Sequence, residues 1–133
     1  MTGQAMPAHG AFCWNELGTT DVEAAKKFYT ELFGWKLKEG HVPAPMIYNE
    51  IMVNGEAVGG IYQMGPEFGG APSHWMPYVA VDDVDASAKR VEELGGKVCV
   101  PPTDIPNVGR FSVINDPTGA TLSILKLGGP HPE

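Results

Sequence analysis

One stretch of the chain is written twice. Residues 20–34, TDVEAAKKFYTELFG, reappear 62 positions later as residues 82–96, DDVDASAKRVEELGG. Asp21/Asp83, Val22/Val84, Ala24/Ala86, Lys27/Lys89, Glu31/Glu93, Leu32/Leu94 and Gly34/Gly96 are identical without a gap, and Glu23/Asp85 keeps its charge. A duplication in register constrains the fold strongly, because the same local structure must be built twice. Each copy reads as a helix. Thr20 is placed to cap the first turn with Glu23 three residues on, and Asp82 and Asp85 hold the same places in the second copy. Val22, Ala25, Phe28, Tyr29, Leu32 and Phe33 recur at helical spacing, as do Val84, Ala88, Val91 and Leu94, which predicts a buried apolar stripe on each helix. Gly34 and Gly95-Gly96 end the two helices.

The flanks repeat as well. Residues 12–17 read as a strand with Phe12, Trp14 and Glu16 on one face and Cys13, Asn15 and Leu17 on the other. Residues 35–39, 46–53 and 56–64 read as three more, the last two joined by Asn54-Gly55, a dipeptide suited to a tight hairpin. Residues 65–73 are rich in Gly and Pro and read as a linker. The second copy offers strands at 75–81, 97–100, 111–115 and 120–127. A proline-rich loop spans 101–109, and Asp116-Pro117-Thr118-Gly119 makes a tight turn. Residues 1–10 and 128–133 read as flexible termini. The expected architecture is α+β: a single domain over 11–127, with module one at about 11–64 and module two at about 74–127. One helix covers one face of each sheet and leaves the other face to line something.

Bulk properties exclude several classes. A net charge of −7 with no Lys/Arg cluster argues against a nucleic-acid surface. No apolar run reaches membrane-span length. The opening MTGQAMPAHG lacks the charged-then-apolar pattern of a signal peptide, which points to a cytoplasmic protein. Cys13 and Cys99 then read as buried free thiols. No Ser–His–Asp set, phosphate loop or CxxC pair is visible.

Three segments in order, TTDVEAAKKFYTELFGW, VAVDDVDASAKRVEELGGKV and GRFSVINDPTGATLSILK, resemble the vicinal oxygen chelate superfamily. That superfamily includes glyoxalase I, bleomycin- and fosfomycin-resistance proteins and extradiol dioxygenases. The resemblance covers nearly the whole chain. It implies paired βαβββ modules forming a cup-shaped sheet, as in the glyoxalase/bleomycin resistance/dihydroxybiphenyl dioxygenase fold, and commonly a homodimer. It also implies a divalent metal held by His or Glu on the first and last strand of each module. Carried onto this chain, those places fall on Trp14, Met76, Ser123 and a residue near Gly60. None is a normal ligand for such a metal, so no metal or other cofactor is expected. Glu16 and His74, two residues along, leave a shifted site open as the less favoured reading.

The residues expected to line the cup are Trp14, Tyr62, His74, Met76, Tyr78 and Ser123, an aromatic and apolar wall with a few polar points. Glu16 is the candidate general acid or base, its pKa expected to rise beside Trp14. Arg110 is placed either to anchor an anionic group or to pair with a surface carboxylate. Trp14 and Met76 either line the cup or pack the junction between modules. Asp116 reads as a turn former. The expectation is a glyoxalase- or bleomycin-resistance-like protein that binds a small organic molecule. The alternative is an enzyme of the same superfamily, a lyase, isomerase or dioxygenase/hydroxylase-like member working through Glu16 or an atypical metal site.

Overall fold

The computed structural model describes residues 7–40, 48–106 and 108–128. Its elements are β1 (Phe12–Thr19), α1 (Val22–Phe33), β2 (Lys36–Glu39), β3 (Tyr48–Val53), β4 (Glu56–Gln63), β5 (His74–Ala80), α2 (Val84–Glu93), β6 (Lys97–Ile105), β7 (Gly109–Asn115) and β8 (Thr121–Leu127), with a 3-10 turn at Pro66–Phe68. Each copy of the repeat is therefore βαβββ, and the fold is α+β. Contacts divide the chain into two compact units, Trp14–Met76 and, among the described residues, 7–13 with 77–128. Strand order is β2-β3-β4-β1 in the first unit and β5-β8-β7-β6 in the second. In both, the first strand of the module runs parallel to the last, β1 with β4 and β5 with β8.

The duplicated helices begin one residue later than the sequence suggests. Asp21 and Asp83 are the N-caps, each accepting from the backbone N–H three residues on, Ala24 at 3.1 Å and Ala86 at 3.0 Å. A short carboxylate caps well and also meets the positive end of the helix. Thr20 instead donates its backbone N–H to Ser73 Oγ. Under α1 lie Leu17, Ile51 and Ile61, with Val22, Ala25, Tyr29, Trp35 and Leu37 packed against them. Under α2 lie Val81, Val84 and Ile124, flanked by Ile114 and Leu122.

The predicted helical stripes are only partly buried. Phe28, Leu32, Phe33 and Leu94 are all more than half exposed, and α1 has no buried residue. Tyr29 stacks on Phe33 and Trp35 and meets Trp75 edge-on, so α1 carries an aromatic ridge that runs from the core to its exposed residues. Cys99 is exposed rather than buried, and Cys13 is half-buried, its thiol pKa pushed up by that burial.

Two hairpins follow their residues. Asn54 and Gly55 both take positive φ, 52° and 80°, as a two-residue β-turn requires. Asp116 closes the β7–β8 turn by accepting from Thr118 N–H at 2.7 Å, Thr118 Oγ1 at 2.6 Å and Ala120 N–H at 3.1 Å. The strand β6 runs on through the expected loop to Ile105, with register shifts on either side of Val100. Prolines 101 and 102 are accommodated because β6 ends the strand order of its unit. Residues near the start are tied down. Gly10 N–H donates to Ala80 O, and Asp82 N–H donates to His9 Nδ1. The start of the strand read at 46–53 and most of the termini read as flexible, residues 1–6 and 129–133, lie outside the described residues.

Asp116 and Asp85 link this frame to pH. The Thr118 hydroxyl and backbone hold the Asp116 carboxyl below its ordinary value of 3.8, and Arg110 does the same to Asp85. Depressed folded-state values mean stability that is present above the unfolded value and lost as pH falls through the folded one. Acid titration of Asp85→Asn and Asp116→Asn is expected to show a flatter loss of stability below about pH 4 than wild type. Unaltered slopes in both would show that these bonds do not survive in solution.

Candidate functional site

On β1 the side chains alternate. Leu17 points under α1, and Trp14 and Glu16 lie on the opposite face of the sheet. The register carries that face across the unit. Glu16 pairs with Gly60 and Gly18 with Tyr62, while Gly60 pairs with Glu50 and Tyr62 with Tyr48. Trp14, Glu16, Tyr48, Glu50 and Tyr62 therefore share one surface, and all five are half-buried.

The centre of this surface is Tyr48. Its hydroxyl accepts from Trp14 Nε1 at 2.8 Å and donates to Glu16 Oε2 at 2.8 Å. It reaches β1 from β3 because β4, the strand between them, has glycine at position 60. A Cβ on Gly60 would collide with the Tyr48 hydroxyl. The same device seats Tyr62, whose hydroxyl lies 2.8 Å from where a Cβ on Gly18 would stand. The rings of Tyr48 and Tyr62 stack with centroids 6.4 Å apart and planes 19° apart, and Phe68 extends the row at 5.9 Å from Tyr62. The result is an aromatic surface with a carboxylate fixed at one edge.

The residues singled out from the sequence fall into two groups. Trp14, Glu16, Tyr62, His74 and Met76 belong to the first unit, and His74 Nδ1 lies 2.9 Å from Pro72 O. Tyr78, Arg110 and Ser123 belong to the second. There Tyr78 pairs in register with Ser123, and both are buried. Among the described residues, Ser123 Oγ has no hydrogen-bond partner. Arg110 lies on the other face, since it pairs with Lys126 and turns toward α2. Its guanidinium gives two bonds to Asp85, both 2.9 Å, and one to Asp104 at 2.9 Å. Those partners engage three donors of the fork within the fold.

Tyr48 was not among the expected residues, although the Gly59-Gly60 pair inside a strand is a signal of close approach to the backbone. Elsewhere in the first unit a shallow depression of about 690 Å³ lies between residues 33–36 and 52–55. Lys36 is its one titratable group, so it offers little chemistry.

Residues 11–124 match the family model of the Glyoxalase/Bleomycin resistance protein/Dioxygenase superfamily. The chain belongs to that superfamily. Among curated relatives it is 48% identical over 113 residues to "Putative glyoxylase CFP32" of Mycobacterium bovis, covering 84% of this chain and 43% of that protein. It is 36% identical over 133 residues to "Anthracycline biosynthesis protein DnrV" of Streptomyces peucetius, covering 91% of this chain and 48% of that one. The chain thus spans about half the length of these relatives. Of solved structures, Streptomyces coelicolor methylmalonyl-CoA epimerase aligns with a TM-score of 0.66 at 16% identity, over 92% of this chain and all of that one. The Mycobacterium tuberculosis epimerase aligns at 0.65 and 14% identity, over 95% and 94%. At such identity the likeness is one of fold.

Members of this superfamily commonly hold a divalent metal, so the donor set matters. In the first unit the carried-over places are Trp14, whose ring nitrogen only donates, Met76, whose thioether is a weak ligand for such a metal, and a residue near Gly60, where Gly59, Gly60 and Ile61 carry no donor atom in a side chain. No group of three or more His, Cys, Asp or Glu able to hold a metal occurs among the described residues. Among the described residues, the carried-over places do not supply ligands of the superfamily's usual kind. Nor is any helix among the described residues long and apolar enough to cross a membrane.

Proposed function

We propose that this superfamily member binds a small, flat organic molecule against the face formed by Trp14, Glu16, Tyr48 and Tyr62, without the usual divalent metal. The observation that carries the reading is the hydrogen-bonded chain Trp14–Tyr48–Glu16 set beside the stacked tyrosines. Flat apolar surface with a few fixed polar groups is the usual make-up of a ligand site. Aromatic side chains give such a surface at low cost in conformational entropy. The name of the Streptomyces peucetius relative, which speaks of anthracycline biosynthesis, accords with a flat aromatic ligand.

Calorimetric titration with a panel of planar aromatic compounds tests this. Trp14→Ala is expected to weaken binding at least tenfold, about 1.4 kcal/mol, through lost contact area and a broken hydrogen bond. Unchanged affinity in both Trp14→Ala and Glu16→Gln would mean that the ligand uses another face. Stoichiometric divalent metal in the purified protein would sink the metal-free part of the reading.

A second reading rests on Glu16. With Tyr48 donating to it, the carboxylate is oriented as a proton acceptor, as a lyase or isomerase of this superfamily would need. Turnover abolished by Glu16→Gln with binding intact decides for the enzyme.

A further inference from the structure

The two copies of the helix expose the same stripe with one change at its centre. On α1 the stripe is Ala24, Lys27, Phe28, Glu31 and Leu32, and on α2 it is Ala86, Lys89, Arg90, Glu93 and Leu94. Phe28 stands where the other copy has Arg90. Arg90 pairs with Glu93 at 3.1 Å, so α2 meets water with a charged face. Phe28 is 58% exposed and opens a run of rings through Tyr29, Phe33, Trp35 and Trp75, with neighbouring centroids between 4.9 and 6.2 Å apart. All of them belong to the first unit. Lys27 and Glu31 lie one turn apart on the stripe. Lys before Glu is the weaker order for pairing within a helix, and neither side chain enters an ion pair among the described residues.

We propose that this ridge is the contact face for a second copy of the chain, with the two α1 helices antiparallel about a two-fold axis near Tyr29. Its extent suits that occupant. Phe28, Leu32, Phe33, Trp75 and Val53 are 58%, 57%, 57%, 40% and 38% exposed, and Val53 lines the depression beside Phe33 and Trp35. At about 200 Å² for an aromatic side chain and somewhat less for Leu and Val, they leave about 500 Å² of apolar surface in water, large for a single chain. Two copies closed on it remove about 1,000 Å² before the polar rim is added, the size a specific interface has to reach. A two-fold contact must also complement itself, and the stripe does. With a rise of about 1.5 Å per residue, the axis sets Lys27 of one copy level with Glu31 of the other, and Glu31 with Lys27. The same placement brings Phe28 against Phe28 beside the axis and seats Leu32 between Ala24 and Phe28 of the second copy. On α2 the central arginine would face its own copy across such an axis, so the matching stripe cannot close in this way.

Sedimentation velocity of the full chain over a wide range of concentration, at near-physiological salt, tests this. Wild type is expected to be a dimer that dissociates on dilution. Leu32→Asp should raise its dissociation constant by about a hundredfold or more, because symmetry buries the new charge twice. Leu94→Asp, the same change at the matching place on α2, where the side chain is 60% exposed, should leave it within about twofold. Lys27→Glu and Glu31→Lys should each weaken the dimer by about tenfold, since each sets like charges opposite one another. The two together should restore it to within about threefold of wild type. These positions are exposed, so circular dichroism should show every variant folded. A wild type that stays monomeric overturns the proposal, and binding of that monomer to anionic vesicles would give the ridge to a lipid surface instead. A dimer that ignores Leu32→Asp, or is weakened as much by Leu94→Asp, is built on another surface and overturns it too. A dimer that Leu32→Asp breaks but the double exchange does not restore overturns the antiparallel two-fold arrangement.

Discussion

Gly60→Ala is expected to abolish binding on the Trp14–Glu16 face while leaving the protein folded. The added methyl would occupy the place of the Tyr48 hydroxyl. That atom is the far end of a side chain, so the ring can swing away and the backbone need not move. Relief of the clash then breaks the hydrogen bonds of Tyr48 with Trp14 and Glu16 and lifts its ring from Tyr62. Overpacking of this kind costs about 1–3 kcal/mol. Gly59→Ala makes the contrast. Its Cβ would meet the backbone oxygen of Asn15, which cannot rotate out of the way. Thermal melts should therefore show Gly59→Ala as the less stable of the two. The titration should show Gly60→Ala as the one that fails to bind while folded. A Gly60→Ala protein that binds planar ligands like wild type would remove Tyr48 from the site.

Ile61→Ala is expected to lose about 2–5 kcal/mol, the range for truncating a fully buried aliphatic side chain. Ile61 is completely inaccessible and sits with Leu17 and Ile51 beneath α1. Removing its outer carbons forfeits their burial and leaves a void that the two neighbouring strands, β1 and β3, can close only in part. The exposed Leu94→Ala should change stability by no more than about 0.5 kcal/mol. Urea unfolding monitored by circular dichroism reads both. A loss under about 1 kcal/mol at Ile61 would mean that the cluster under α1 is not what holds the unit together.

The contrast between Ile61 and Leu94 shows where the sequence was legible. The offset of 62 predicted two helices, the βαβββ order of each copy and the face of β1 that carries Trp14 and Glu16. These rest on periodicity and turn chemistry, which are local. The N-caps were misplaced by one residue because Thr20 and Asp21 are both good caps, and only the bond from Ala24 decides between them. Periodicity also marked Phe28, Leu32 and Phe33 as buried, since it locates an apolar face without showing what covers it. The larger miss was Tyr48. Its role depends on reaching across β4, and so on the pairing of Gly60 with both Glu16 and Glu50. Register between strands distant in sequence is not written in any one of them. Arg110 could be read either as an anion anchor or as an ion-pair residue, and its bonds to Asp85 and Asp104 answer to the second description.

The aromatic ridge on α1 has a consequence for the protein as a solute. Phe28, Leu32 and Phe33 stand more than half exposed, and Trp75 is 40% exposed beside Tyr29. Such a ridge draws molecules together, and the net charge of −7 keeps them apart. The two forces respond oppositely to the medium. Salt screens the repulsion, with sulfate or phosphate also strengthening the attraction, and acidification toward the isoelectric point near 5.0 removes the repulsion at its source. The colloidal state of this protein is thus governed by one uncovered helix face working against its acidic balance, and it should be at its most dispersed in dilute buffer well above pH 5.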